Sequence, residues 1–297
     1  MNTITFKSGK TVLASEPYQP HAAALAPFVG RLRELKMVTA AWIGSPTAPP
    51  LSPLLLGEPG VGKNRLVYEL ARRTGLDLYI FQGHEDVTAE DLACAVRFSD
   101  QPGRTMDYLA SPLVTAMQRG GICFLDEIGK IRPRALALLV SVLDERRYLD
   151  STLLGERVPA HPRFRFIAAT NLEEMGVLPE FICSRMRPVI EVGHPPREEI
   201  DLLVARQAAG VPDLKPLLQT FWDLFGGLKR PPSPRDAIHL FALAASLRDF
   251  AATGAAQHLA DAGPGGRLQL DPPATGAVLT PEHVAEAFHQ LFKPATS

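Results

Sequence analysis

One octapeptide constrains this 297-residue chain more than any other feature. Gly57-Glu58-Pro59-Gly60-Val61-Gly62-Lys63-Asn64 stands between a short apolar run, Leu51-Ser52-Pro53-Leu54-Leu55-Leu56, and a stretch with apolar residues at Leu66, Val67, Leu70 and Ala71. The run reads as a buried parallel strand and the stretch as one face of a helix. Glycines let the connecting backbone curl, so successive N–H groups can point inward at phosphate oxygens. The helix N-terminus adds its partial positive charge. Lys63 can reach terminal phosphates as a flexible point charge. The usual pattern ends in Ser or Thr, whose hydroxyl binds magnesium, whereas Asn64 stands there in this chain. Alone, the octapeptide is also compatible with an ordinary glycine-rich turn.

Further strands follow at Leu76–Phe81, Ile122–Leu125, Phe164–Ala169 and Val189–Val192, with helical patterns between them. That alternation predicts an α/β domain with a doubly wound parallel sheet. Residues 1–20 read as an edge strand or an arm, and a helix is expected from about Ala22 to Trp42, interrupted at Pro27 and Gly30. Thr88-Ala89-Glu90-Asp91 has the form of a capping box. Gln101-Pro102-Gly103-Arg104 reads as a turn between two extended arms, and residues 147–159 as a hairpin around Gly155-Glu156. After His194-Pro195-Pro196 the pattern turns wholly helical, which places a domain boundary at 196/197. Residues 251–279, rich in Ala, Gly and Pro, read as a long mobile insertion.

Three more motifs carry chemistry. Ile122-Cys123-Phe124-Leu125 runs straight into Asp126-Glu127. Ligands of such sheets bind beyond the carboxyl ends of the strands, which puts these acids beside the glycine loop. Asp126 could hold magnesium, directly or through water, and Glu127 could activate an attacking water. A strand that simply ends in surface acids is the plain alternative, but both features in this order and spacing are far less common by chance. Asn171, after the strand at Phe164–Ala169, is placed to hold that water or a γ-phosphate, although Asn there is often only a turn former. Ser233-Pro234-Arg235-Asp236 looks like a helix start with a cation in the first turn, where the helix dipole disfavours it. A phosphate would explain Arg235, and a plain surface arginine would explain it equally.

Lys and Arg number 31 against 32 Asp and Glu. That balance argues against nucleic acid and anionic membranes as partners. No apolar run is long enough to span a bilayer, and the N-terminus lacks the apolar core of a signal peptide. Cys94, Cys123 and Cys183 are too few and scattered for a disulfide framework or structural zinc. A soluble cytoplasmic protein is expected.

Together these motifs resemble an AAA+ ATPase, and most nearly the MoxR-like group that includes the CbbQ-type activases. The resemblance covers roughly residues 20–250 and resumes at Leu279-Thr280-Pro281-Glu282. It implies a P-loop NTPase αβα core with a five-stranded parallel sheet over 21–196, then a smaller all-α lid over 197–297. Residues 88–110 look like a helix-2 insert and 147–159 like a presensor hairpin. Gly57, Pro59, Gly60, Val61, Gly62, Lys63 and Asn64 match Walker A, and Asp126 and Glu127 match Walker B. Asn171 matches sensor 1 and Arg235 sensor 2. Val29 and Gly30, in Phe28-Val29-Gly30-Arg31, are similar to the adenine-pocket segment. Arg185 aligns with the arginine finger, with Arg187 in reserve. ATP and Mg²⁺ are the implied ligands, Asn64 and Asp126 the implied metal residues, and Glu127, Asn171, Arg185 and Arg235 the implied catalytic ones. MgATP would lie between core and lid. A ring, usually a hexamer, would supply the finger in trans. The client would be a protein complex, remodelled in a chaperone-like way, often one with a von Willebrand factor A domain. Asn64 departs from the pattern and puts magnesium affinity and turnover at issue. Two rivals stand beside this reading: a nucleotide-gated scaffold with little hydrolysis, and a nucleic-acid motor.

Overall fold

The apolar runs around the glycine loop and the two acids become neighbours in one parallel sheet. The computed structural model describes residues 2–20, 28–45, 48–99, 105–252 and 277–292. Five strands, β3 (Leu54–Leu56), β4 (Leu78–Gln82), β7 (Ile122–Asp126), β10 (Arg165–Thr170) and β11 (Val189–Glu191), are all parallel, in the order β11-β3-β10-β7-β4. Successive side chains point to opposite faces, and here both faces are covered. Leu54, Cys123, Leu125, Phe166 and Ala168 enter one core, while Leu55, Ile122, Phe124, Ile167 and Ala169 enter the other. That double burial is why these strands read as unbroken apolar runs.

Helix α1 spans Leu32–Ile43 and α2 Lys63–Thr74. Of the helix expected from about Ala22 to Trp42, the part beyond Gly30 is α1, and the interruption expected at Gly30 is present. Gly30 and Arg31 both have positive φ, which a right-handed helix cannot contain, and residues 21–27 lie outside the described residues. The strand expected from Leu76 begins instead at Leu78, because Gly75 leaves α2 in the left-handed conformation and the next two residues carry the chain to the sheet. Ser111 caps α4 (Pro112–Arg119) by accepting from Val114 N–H, as Ser-Pro predicts.

The N-terminal residues form more than an arm. β1 (Thr3–Thr5) and β2 (Thr11–Leu13) make a hairpin, and β5 (Cys94–Phe98) and β6 (Met106–Ala110) make a second. The four join in a sheet of order β1-β2-β6-β5 through a parallel pairing of Leu13 with Leu109. Thr88 caps α3 (Ala89–Ala93), which leads into β5, with a reciprocal box to Asp91. A third hairpin, β8 (Tyr148–Ser151) with β9 (Glu156–Pro159), meets the first: Lys10 Nζ donates to Leu153 O and Ser8 Oγ to Glu156. The turn expected at 101–104 lies outside the described residues.

The chain divides into two compact units, residues 1–193 and 194–297. In the second, α9 (Arg197–Gln207), α10 (Lys215–Gly226), α11 (Pro234–Ala252) and α12 (Pro281–Phe292) pack around Phe221, Phe225, Phe241 and Phe288. Most of the insertion expected at 251–279 falls outside the described residues. Among the described residues no helix is long and apolar enough to cross a membrane.

Candidate nucleotide site

At the carboxyl end of β3 the backbone turns through Gly60 (φ 85°) and Gly62 (φ 103°), positions that favour glycine. Gly57 runs so close to the Val192 carbonyl that a Cβ there would collide with it. Lys63, at the start of α2, is buried with its ammonium in a polar nest. Nζ donates to Gly57 O at 2.6 Å, Glu58 O at 3.1 Å and Asn171 Oδ1 at 2.9 Å. One cation thus joins the glycine loop to the end of β10, two strands that are direct neighbours.

Asp126 closes β7 and is 9% exposed. Burial pushes its carboxyl above the usual range, opposed by a hydrogen bond from Asn64. Oδ2 accepts from Asn64 Nδ2 at 2.8 Å and Oδ1 from Glu127 N–H at 3.0 Å. An ionised carboxylate only accepts, so Asn64 must face it with its N–H₂. Each Asp126 oxygen keeps a further acceptor direction, which fits a cation bound by one carboxylate. Asn64 would reach the same cation with its oxygen only by turning its amide away from Asp126. Tyr68, one helical turn on, lies in hydrogen-bonding reach of Asn64 and Tyr18, and burial pushes its pKa up to about 12. Its ring stacks on Tyr18 at 4.8 Å.

Glu127 adopts the left-handed conformation (φ 55°), uncommon for a side chain of this kind and a feature found at functional sites. Its Oε2 accepts from Gln82 Nε2 at 2.8 Å and Lys130 Nζ at 2.7 Å. Gln82 pairs with Asp126 across the β4–β7 ladder. The sequence reading missed Gln82 because strand order is not visible in a sequence. Lys130, three residues after Glu127, carried a readable signal and was also missed.

Val29 and Gly30 lie just before α1 and are half-buried, with Phe28 packed against the core behind the glycine loop. Arg185 is 31% exposed at its side chain; Nη1 donates to Phe181 O at 2.8 Å, and Nε lies 3.8 Å from Asp144 Oδ2. Arg187 is exposed. Neither joins the cluster around Lys63. Arg235 is exposed on the first turn of α11 in the second unit, beside Ser233, whose Oγ caps the helix by accepting from Asp236 N–H at 3.2 Å.

A family profile described as AAA domain (dynein-related subfamily) matches residues 52–185. The chain is 35% identical over 125 residues to Protein NorQ of Paracoccus denitrificans, covering 42% of this chain and 45% of NorQ. It is likewise 35% identical over 118 residues to Protein CbbQ of Hydrogenophilus thermoluteolus, covering 40% of this chain and 43% of CbbQ. The matched stretch spans somewhat under half the length of these curated relatives. Among solved structures, the RuvB Holliday junction branch migration motor of Thermotoga maritima aligns with a TM-score of 0.57 over 90% of this chain and 71% of that one, at 18% identity. That likeness speaks for the fold alone.

Proposed function

We propose that this chain, an AAA+ protein of the MoxR-like group, binds MgATP at the carboxyl end of its parallel sheet and hydrolyses it to remodel or activate a partner protein complex. The observation that carries the reading is the convergence of Lys63, Asn171 and Asp126, from the ends of β3, β10 and β7, at one glycine loop, with Glu127 next in the chain to Asp126. The loop N–H groups and Lys63 would take the β- and γ-phosphates, with Val29 and Gly30 near the adenine. Asp126 is the residue to hold magnesium, with Asn64 as second candidate; bound with nucleotide, the metal neutralises charge on the phosphate oxygens.

Glu127 acts as general base: its carboxylate accepts a proton from water in line with the γ-phosphoryl group while Asn171 orients that water. Gln82 and Lys130 both hold Oε2 of Glu127, so they compete with the water for this carboxylate through that oxygen. Arg185, with Arg187 as the alternative, belongs to a neighbouring subunit's site in a ring, usually a hexamer in this group. Arg235 enters as a phosphate contact on the strength of its Ser-Pro-Arg motif alone. The lid role of residues 197–297, a protein client with a von Willebrand factor A domain and a cytoplasmic location complete the proposal.

A second reading has one observation in its favour. Asn64 donates to Asp126 where a hydroxyl would normally face the cation, which suits a nucleotide-gated scaffold with little turnover. A nucleic-acid motor has only the near-zero net charge against it. Phosphate release measured beside ATP affinity, with and without magnesium and with and without DNA, separates the three. Magnesium-dependent release that DNA does not stimulate is expected. Tight binding with no release supports the scaffold, and stimulation by DNA supports the motor.

A further inference from the structure

Arg31 stands where nothing in a phosphate-loop motif requires it. It is the residue before α1, held at φ 59°, and its side chain is 11% exposed. Left-handed backbone at a long, branched-headed residue is unfavourable, so the surrounding structure must hold it there. Its guanidinium makes three contacts: Nη2 donates to Val61 O at 3.0 Å and to Gly193 O at 2.6 Å, and Nη1 to Glu34 Oε1 at 3.2 Å.

The Val61 contact bears on phosphate binding through peptide geometry. In a trans peptide the C=O of Val61 and the N–H of Gly62 lie in one plane and point in opposite directions. A donor that holds the Val61 carbonyl on the outside of the turn holds the Gly62 N–H on the inside. Gly62 is left-handed, at φ 103°, and a Cβ built on it would meet nothing within 4 Å. On the Gly62 side no side chain packs against this peptide, while the Val61 side chain is buried in the core; Arg31 adds a directed restraint on the carbonyl itself. The same guanidinium nitrogen holds Gly193, the last residue of the first unit. Glu34 neutralises the guanidinium and aims it.

We infer that Arg31 is a positioning residue that orients the Val61–Gly62 peptide for phosphate recognition and ties the glycine loop to the chain at Gly193. The inference rests on the nucleotide reading above. Arg31 touches no phosphate in this account; it acts through the loop backbone. Its loss should therefore weaken the grip on the β-phosphate more than the grip on the nucleoside end.

The test is calorimetric titration of ADP and AMP into wild type, Arg31→Ala and Arg31→Lys. AMP lacks the β-phosphate, so the ratio of the two affinities reports the loop. Arg31→Ala should lower the ADP-over-AMP preference about tenfold, equivalent to about 1.4 kcal/mol, and AMP affinity should change much less. Arg31→Lys keeps the charge but lacks the planar fork that spans separate acceptors, so it should recover only part of the preference. An unchanged ratio in Arg31→Ala, or equal weakening of ADP and AMP, overturns the inference, because a general packing role would move both together. Should Arg31→Ala fail to fold, Arg31→Lys decides by the same ratio, and wild-type preference there overturns the inference. A wild type that binds neither nucleotide overturns the nucleotide reading itself.

Discussion

The two sheets of the first unit are built from different sequence and behave differently. Every residue of β3 and β7 is buried, and the polar groups appear only where those strands stop. In the β1-β2-β6-β5 sheet burial alternates or fails: Ile4 points inward between exposed Thr3 and Thr5, Val12 between exposed Thr11 and half-buried Leu13, and Phe98 is 80% exposed opposite Met106 at 47%. The parallel sheet is a rigid platform whose end can aim Lys63, Asp126 and Asn171 closely. The smaller sheet has one covered face and, among the described residues, no such cluster, and it ties the N-terminal hairpin to β8–β9 through Lys10 and Ser8. The proposed site lies where double burial ends abruptly.

The largest expected effect lies at neither sheet. Arg185→Ala should bind ATP normally yet lose hydrolysis by about 10³–10⁵, the worth of an arginine finger in related phosphoryl transfer. Mixed rings with a Lys63→Ala subunit should depart from a simple sum. A large loss in Arg187→Ala with none in Arg185→Ala would move the finger by one motif position.

Next comes Glu127→Gln, expected to keep ATP bound while turnover falls by about 10²–10⁴. Phosphate release by Gln82→Ala probes the same carboxylate from the other side, and freeing Glu127 from that amide should raise basal turnover. Wild-type turnover in Glu127→Gln would remove the base from the mechanism.

Stability variants test the contrast directly. Ile167→Ala, in the doubly covered sheet, should cost about 2–5 kcal/mol, and Ile4→Ala about 2 kcal/mol or less because its site can relax toward solvent. Phe98→Ser should stay within about 0.5 kcal/mol. Denaturant unfolding measures all three. Equal costs for Ile167 and Ile4 would erase the distinction between the sheets.

Smaller effects fall at α2. Asn64→Thr replaces an N–H facing Asp126 with a hydroxyl, and should raise the rate at limiting magnesium about tenfold, or about 1.4 kcal/mol. Superposed magnesium titrations would mean Asn64 already serves. Glu69, held by Arg72 and then Arg73, has its carboxyl pulled down to about 2 from 4.5. A depressed folded value stabilises above the unfolded one and is lost as pH falls from 4.5 toward 2. Glu69→Gln should therefore cost on the order of 1 kcal/mol at about pH 7 and progressively less toward about pH 2.

The contrast between the sheets also explains what could be read in advance. Uniform apolar runs such as Ile122–Leu125 announce themselves, and a glycine loop or an Asp-Glu pair at their ends marks a site. Thr3–Thr5 and Thr11–Leu13 are three-residue strands, too short to show a period, and the strand that Thr11–Leu13 joins lies far along the chain at Leu109. The break before α1 was legible at Gly30, but the positive φ at Arg31 was not, since no propensity predicts it for arginine. Gln82 on Glu127 needed the order of strands, and the amide of Asn64 needed a partner to choose its direction.

The central claim is that the loop from Gly57 to Asn64 holds nucleotide phosphates, with Lys63 as their cation. Equilibrium binding of ADP to wild type and to Lys63→Ala tests it most directly. In the structure Lys63 already gathers Gly57 O, Glu58 O and Asn171 Oδ1, so the variant removes a charge without adding bulk. The account requires tight ADP binding in wild type and a loss of at least about 100-fold, about 2.7 kcal/mol, in a folded Lys63→Ala protein. Equal affinity in the two would contradict it.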